Sequence, residues 1–278
     1  MGWSVDSSCI DCDACVQHAP SVFAHGASHV VVAKQPDATE VIAATRALLA
    51  CPVGAIKGAP VRGVWFPQLL GETSRSKISI CGFNSEDAFG GNAFFVERAS
   101  GNLLIDGPRY AQPLVRAMKP VAHVLVTHAD DVGDAERWAA RSDARVWIHE
   151  RDAHAAPFAT DLIRGDDPIA IDDGVIAIPV PGHTRGSVMF LVDDDALFTG
   201  DSLYWSRTHA RLSAFHDATW FSWARQISSL ERLAREHRFG WILAGHGDRR
   251  RLDPDTAHAQ VLDLIARMRA APDDEGDW

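Results

Sequence analysis

The chain of 278 residues lacks long apolar runs and has no excess of basic residues. No segment approaches the roughly 20 apolar residues of a membrane-spanning helix, and the first residues lack the basic and apolar regions of a secretory signal peptide. The net charge of −10 argues against nucleic acid or an anionic membrane as the main partner. We therefore expect a cytoplasmic protein that binds neither nucleic acid nor membranes.

Cysteine is scarce, with five in the whole chain, yet four of them fall into two short motifs. Cys9, Cys12 and Cys15 follow C-x2-C-x2-C spacing, and Cys51 is followed directly by Pro52. In a reducing compartment, clustered cysteines are metal ligands more often than disulfides. Three thiolates at this spacing can wrap one compact iron–sulfur cluster, for which a distant Cys-Pro supplies the fourth ligand. A zinc site or a set of unligated thiols is the alternative.

This first block, residues 1–60, resembles a bacterial-type ferredoxin in its single-cluster form. A second C-x2-C-x2-C motif is absent, and Ala19 stands before Pro20 where the two-cluster pattern would place a fourth cysteine. The resemblance therefore implies a single [4Fe–4S] cluster. Its ligands would be Cys9, Cys12, Cys15 and Cys51.

The pattern changes after this block. Glycine and proline in residues 61–76 predict a linker, and the acidic residues 271–278 predict a disordered tail. Between them, over residues 77–270, short apolar runs predict strands and longer amphipathic stretches predict helices. This alternation indicates a layered domain with its functional residues along one sheet edge. The strands include residues 121–127, 175–178, 188–192, 196–198 and 241–244, and the helices include residues 220–237 and 256–270.

Side chains that can bind metal stand at four of the predicted strand ends. Each one alone is common in a turn or at the end of a strand. Their joint appearance on rigid neighbouring strands indicates a metal site. The candidate metal ligands are His128, Asp130, Asp131, His183, Asp201 and His246.

The motifs around these residues occur in a characteristic order: Thr-His…Asp, Pro-Gly-His-Thr-x-Gly-Ser, Thr-Gly-Asp and Gly-His-Gly. In this order they resemble the metallo-β-lactamase fold family. The resemblance implies an αββα sandwich with a dinuclear site between two sheets, so the predicted fold class is α+β, a small ferredoxin-like domain followed by this sandwich. It would place His128 and His183 at one metal and His246 at the other, with Asp201 bridging the two.

The first motif departs from the family signature H-x-H-x-D-H, because the chain reads His-Ala-Asp-Asp-Val-Gly from His128 onwards. Aligned without a gap, Asp130 replaces the second histidine, and Val132 and Gly133 replace the aspartate and the last histidine. Aligned with a two-residue deletion, Asp130 and Asp131 take the last two places. We favour the second alignment because it keeps the following helix in register. In both alignments, at least two histidine ligands are missing.

The missing histidines affect which metal the site would hold. Either Asp130 and Asp131 substitute for them, or one metal is bound, or none. We expect one or two divalent ions (zinc, iron or manganese), and carboxylate ligands favour iron or manganese over zinc. His128, His183 and Asp201 also form the two-histidine, one-carboxylate set that suits ferrous iron.

These observations predict a metal-dependent hydrolase-fold enzyme with a fused iron–sulfur electron-transfer domain. A bound metal would activate water for attack on the carbonyl of a small-molecule thioester, lactone or similar substrate. Asp131 is the candidate catalytic residue, which would orient this water or accept its proton.

Two alternatives remain open because hydrolysis moves no electrons. One is a redox enzyme with non-haem iron, which performs oxygen or sulfur chemistry and is supplied with electrons by the cluster and a redox partner protein. The other is a non-catalytic electron-transfer or redox-sensing module. The sequence specifies neither the substrate nor the oligomeric state.

Overall fold

The small N-terminal domain is built around two helices and two pairs of short strands in the computed structural model, which describes residues 2–63 and 66–270. Pairing of the first and last strands brings Val5 opposite Ile56 and so returns the chain to the segment that contains the first three cysteines. The buried core includes Phe23, Val30 and Ala47. The elements are β1 (Ser4–Val5), α1 (Ala14–His18), β2 (Phe23–His25), β3 (Val30–Val32), α2 (Val41–Ala50) and β4 (Ile56–Lys57).

The second domain begins with a seven-stranded sheet in which every strand pairs with its neighbour in the sequence. The first four strands are antiparallel, and the last four are parallel. Parallel neighbours need a crossover, and two of the three crossovers contain a helix, α3 (Gln112–Ala117) and α4 (Ala135–Ser142). The strands are β5 (Gln68–Glu72), β6 (Ser76–Ile80), β7 (Phe94–Arg98), β8 (Leu103–Ile105), β9 (His123–Leu125), β10 (Arg145–His149) and β11 (Asp161–Ile163).

Strand β5 corrects the predicted linker over residues 61–76. Gln68–Glu72 pairs antiparallel with β6 at the edge of the sheet, so this part of the segment belongs to the sandwich. The register shifts between Leu69 and Gly71, and such a bulge interrupts the alternation by which a strand is recognised. The predicted acidic tail, 271–278, lies outside the described residues.

The second sheet packs against the first and has six strands, in the order β12-β13-β14-β15-β18-β19. A separate hairpin, β16 and β17, follows β15. The elements are β12 (Ile169–Asp172), β13 (Val175–Pro179), β14 (Val188–Val192), β15 (Ala196–Gly200), β16 (Tyr204–Ser206), β17 (Arg211–Ser213), α5 (Trp223–Glu236), β18 (Trp241–Ala244), β19 (Arg250–Arg251) and α6 (Pro254–Ala270).

Both faces of the second sheet are buried, which explains its continuous apolar runs. In β14, Phe190 points into the core between the sheets, while Met189 and Leu191 pack against the outer layer formed by α5 and α6. Phe94 and Phe198 meet across the two sheets with ring centroids 5.4 Å apart. The layers are therefore helix, sheet, sheet, helix, as the family resemblance implied. None of the helices in the described part of the chain has the length and apolarity to span a bilayer.

We expect Phe198→Ala to lower the free energy of unfolding by about 3–5 kcal/mol, because it opens a cavity between two packed sheets. Leu262→Ala on α6 is the matched control, since Leu262 is 49% exposed and surface changes cost within about 0.5 kcal/mol. Urea denaturation measures the free energy of unfolding of both variants. Equal midpoints for the two would contradict this account of the core.

Candidate metal and cluster sites

The candidate metal ligands lie together at one edge of the sandwich because the strands that carry them end there. Strands β15 and β18 are parallel neighbours, with Gly200 opposite Ala244, so Asp201 and His246 follow two adjacent strand ends. His183 lies in the turn between β13 and β14, and His128 follows β9 of the other sheet. The site is therefore assembled from both sheets.

Asp201 is at the centre of this arrangement. Its Oδ2 lies 3.6 Å from Nε2 of His128, 3.8 Å from Nε2 of His183 and 2.9 Å from Nδ1 of His246. Its other oxygen, Oδ1, accepts a hydrogen bond of 2.9 Å from the backbone N–H of His246. One carboxylate thus contacts all three histidines.

Two groups of three residues have ligand atoms that all lie within 4.8 Å of one another, and they share Asp201. The first group is His128, His183 and Asp201. The second group is Asp131, Asp201 and His246. The geometry therefore offers two adjacent metal positions with a common carboxylate.

Several ligand atoms of these groups are buried without any hydrogen-bond partner among the described residues. They include Nε2 of His128 and both carboxylate oxygens of Asp131. An unpaired buried polar group costs about 1–3 kcal/mol and calls for an explanation. A cation between these atoms would satisfy them, so the donor set fits a metal.

The charges of the site are strongly coupled to one another. Burial and the charge of Asp201 raise the pKa of Asp131 well above its usual range. Burial alone would raise the pKa of Asp201 too, but the charge and hydrogen bond of His246 hold it well below its usual range. Burial opposes protonation of His246, but the Asp201 and Asp131 carboxylates outweigh it and raise the pKa of His246 to about 10. A bound cation would compete with these protons for the same atoms.

The two aspartates after His128 take different positions. Asp131 is buried and belongs to the His246 group. The side chain of Asp130 is 54% exposed, and its Oδ2 lies 3.5 Å from Nε2 of His183. The position of Asp131 agrees with the alignment that has a two-residue deletion, whereas the position of Asp130 beside His183 agrees with the alignment without a gap, so the preference for the alignment with the deletion stays a prediction. Asp131 has the surroundings of a metal ligand, and its predicted catalytic role stays a prediction.

A hydrogen-bond chain behind His128 orients its ring and was not predicted from the sequence. The buried carboxylate of Asp106 accepts hydrogen bonds from the backbone N–H of Thr127 at 2.8 Å and from its hydroxyl at 3.0 Å. Oγ1 of Thr127 also forms a hydrogen bond of 2.9 Å with Nδ1 of His128. Burial lowers the pKa of His128 to about 4. With Nδ1 held by Thr127, Nε2 of this neutral ring faces the metal position, where it would offer a lone pair to a cation.

Asp152 is a second residue that sequence reasoning missed. Its buried carboxylate accepts hydrogen bonds from the hydroxyl of Thr184 at 2.6 Å, from N–H of Gly186 at 2.9 Å and from N–H of Ala129 at 3.1 Å. It thereby ties the turn that carries His183 to the residue after His128. Asp152 lies in no recognisable motif, whereas Asp106 directly follows a buried strand, a signal that could have identified it.

The four motif cysteines surround a single cavity in the N-terminal domain. Cys15 and Cys51 are buried, and Cys9 and Cys12 are partly buried. Four thiolates are the ligand set of a [4Fe–4S] cluster and also of a structural zinc ion, so the residues that line this cavity fit either group.

We expect Thr127→Val to weaken metal binding about 10- to 100-fold, the usual cost of losing a residue that orients a metal ligand. The variant keeps the shape of the side chain and removes only the hydroxyl that holds His128. Calorimetric titration of the protein with Zn²⁺ or Mn²⁺ measures the effect. Thr45→Val, at a buried threonine of the N-terminal domain, should leave the affinity unchanged; equal affinities of the two variants would refute the orienting role.

Comparison with known proteins agrees with both parts of the structure. Residues 5–58 match the family model described as the 4Fe-4S single cluster domain of Ferredoxin I. Similar solved structures include BLEG-1 B3 metallo-beta-lactamase, with a TM-score of 0.52 and 17% identity over 69% of this chain and 99% of that one. A metallo-beta-lactamase from Hirschia baltica has a TM-score of 0.53 and 13% identity over 72% of this chain and 96% of that one. At these identities the likeness shows the fold alone.

Curated relatives match part of the second domain. A hydroxyacylglutathione hydrolase from Fuscovulum blasticum is 36% identical over 116 residues, 38% of this chain and 45% of the relative. Another, from Cereibacter sphaeroides, is 33% identical over 136 residues, 46% of this chain and 52% of the relative. The chain thus spans about half the length of the curated relatives it matches. Residues 87–238, more than half of the chain, match the model of the metallo-beta-lactamase superfamily, and the chain therefore belongs to this superfamily.

Proposed function

We propose that the protein is a metal-dependent hydrolase that acts on the carbonyl of a small-molecule thioester, lactone or similar substrate, and that its N-terminal domain holds one [4Fe–4S] cluster. The observation that carries the proposal is the pair of ligand groups that share Asp201, with buried ligand atoms that lack partners. Two of the curated relatives are named hydroxyacylglutathione hydrolase, and an acylglutathione is a thioester. Their name supports a thioester as the first substrate class to test.

The metal positions assign roles to the residues around them. His128, His183 and Asp201 would hold one ion, and Asp131 and His246 would hold a second ion together with Asp201. A bound ion supplies hydroxide at neutral pH and polarises the substrate carbonyl. The residues around the site would have to bind and orient the substrate.

Asp130 is the most exposed of the six candidate ligands and is therefore the one best placed to contact a substrate or solvent. Its half-exposed carboxylate lies 3.5 Å from His183 Nε2, and the hydrogen bond to His183 holds its pKa below the usual range, although burial opposes this. Asp130 therefore stays ionised at neutral pH, and as a weak base it is suited to orient a substrate or water through a hydrogen bond rather than to take up a proton. The buried Asp131 would instead contribute its carboxylate oxygens to the metal.

We expect His183→Ala to reduce thioester turnover on the order of a thousandfold, because metal-ion catalysis supplies several kcal/mol of transition-state stabilisation. His154→Ala, at an exposed histidine outside the site, is the control. Turnover of an acylthioester and metal content of both proteins are the measurements. A His183→Ala protein that keeps both its metal and its activity would overturn the proposed hydrolase.

A second candidate function is redox chemistry at iron, with electrons supplied through the cluster. Two observations favour it: the group of two histidines and one carboxylate suits ferrous iron, and hydrolysis has no use for an electron carrier. The oxidation state of the cluster separates the two functions. A hydrolase should turn over at the same rate with the cluster oxidised or reduced by dithionite, whereas turnover only in the reduced protein would favour the redox function.

A further inference from the structure

The two candidate sites are connected by three consecutive residues of the loop between β6 and β7, Phe89, Gly90 and Gly91. The carbonyl oxygen of Phe89 lies 3.3 Å from Nε2 of His246 and can accept a hydrogen bond from it. A Cβ atom added to Gly90 would lie 2.6 Å from Sγ of Cys12. A Cβ atom added to Gly91 would lie 2.7 Å from Oδ1 of Asp131. Adjacent backbone units therefore touch a cluster cysteine on one side and two candidate metal ligands on the other.

These contacts set an upper limit on the distance between the two sites. The Cα atoms of Gly90 and Gly91 are one peptide unit apart, so the path through them bounds the separation of Cys12 Sγ and Asp131 Oδ1 at about 12 Å. The path consists of covalent backbone with one van der Waals contact at each end. This separation is short enough for direct electron tunnelling through protein.

The loop is held in place from both domains. The buried side chain of Asn84 donates a 2.6 Å hydrogen bond to the carbonyl of Gly90. The buried side chain of Asn92 donates to Oε1 of Gln17, on the helix that contains Cys15, at 2.9 Å. The backbone N–H of Asn92 donates to the carbonyl of Gly245 at 2.7 Å. The position of the loop against Cys12 is therefore fixed by directional bonds.

We propose that residues 89–91 are an electron route between the cluster site and the metal site. One electron leaves a reduced cluster, which is thereby oxidised from its 1+ to its 2+ state, and reduces a ferric ion held by Asp131, Asp201 and His246 to the ferrous state. No bond is broken and no proton moves. A ligand group with two carboxylates suits iron, and an external one-electron donor restores the reduced cluster.

The proposal rests on the two cofactors proposed above and not on hydrolysis, so the two can fail separately. The first measurement uses the full chain, reconstituted anaerobically with the cluster and loaded with Mn²⁺ or Zn²⁺ at the metal site. The electron spin relaxation of the reduced cluster should be faster with paramagnetic Mn²⁺ than with diamagnetic Zn²⁺. Equal relaxation in the two forms, or a chain that takes up no cluster, overturns the route whatever the hydrolytic activity is.

The second measurement follows the electron itself in the form loaded with ferric iron. Rapid-mixing EPR after reduction should show the reduced cluster signal decay as the ferric signal disappears, while the Zn²⁺ form keeps its reduced cluster. Gly90→Ala should slow the decay severalfold, because its Cβ would meet Cys12 Sγ at 2.6 Å and push the loop away.

Gly165→Ala is the matched control for this variant. Gly90 and Gly165 both have positive φ, +83° and +74°, so both substitutions carry the same kind of backbone strain, but a Cβ at Gly165 has nothing within 4 Å. Equal decay in the two variants overturns the route through residues 89–91. If Gly90→Ala does not fold, equal relaxation in the Mn²⁺ and Zn²⁺ forms of the unaltered chain still overturns the proposal. A reduced cluster that persists beside ferric iron in the unaltered chain also overturns the proposal.

Discussion

The contact of the Asp201 carboxylate with three histidines is the interaction on which the second domain depends. A buried carboxylate without a positive or hydrogen-bonding partner costs several kcal/mol, and Asp201 is buried at the sheet edge. Its partners His128, His183 and His246 follow three different strands of both sheets. The packing of the sheets and the charge balance of the site are therefore linked, because His128 comes from the first sheet, and a shift of one sheet against the other would separate it from this carboxylate.

The same crowding explains why glycine occupies two of the positions next to the carboxylates. A Cβ atom on Gly245 would lie 2.6 Å from Oδ2 of Asp131 and 2.7 Å from Oδ1 of Asp201, and one on Gly91 would lie 2.7 Å from Oδ1 of Asp131. Any other residue at Gly91 or Gly245 would push the two carboxylates out of place. The glycines before His246 and in the loop from the first sheet thus keep the ligand atoms close enough to share one cation.

Sequence patterns predicted strands that are buried on both faces. They failed for an exposed edge strand and for residues whose hydrogen-bond partners are distant in the sequence. The strand at Val188–Val192 was predicted to the residue because both of its faces are buried and turn formers bound it. The edge strand Gln68–Glu72 was missed, since a half-exposed strand with a bulge loses its alternation. Motifs pointed to Asp201, but the partners of Asp106 and Asp152 come from other segments. The dipeptide Gly90-Gly91 carries no sequence signal for the contact between Gly90 and Cys12.

The two domains are parts of one structure because the second supplies hydrogen bonds that the helices of the first require. The last carbonyls of a helix have no partner within it. Near the end of α2, the carbonyl of Ala50 accepts from the backbone N–H of Asn84, and that of Leu49 accepts from the guanidinium of Arg109. On α1, the carbonyl of Val16 accepts from Arg207 at 2.9 Å. These helices contain or directly precede the third and fourth motif cysteines, so residues of the metal domain help to set the geometry of the cluster site.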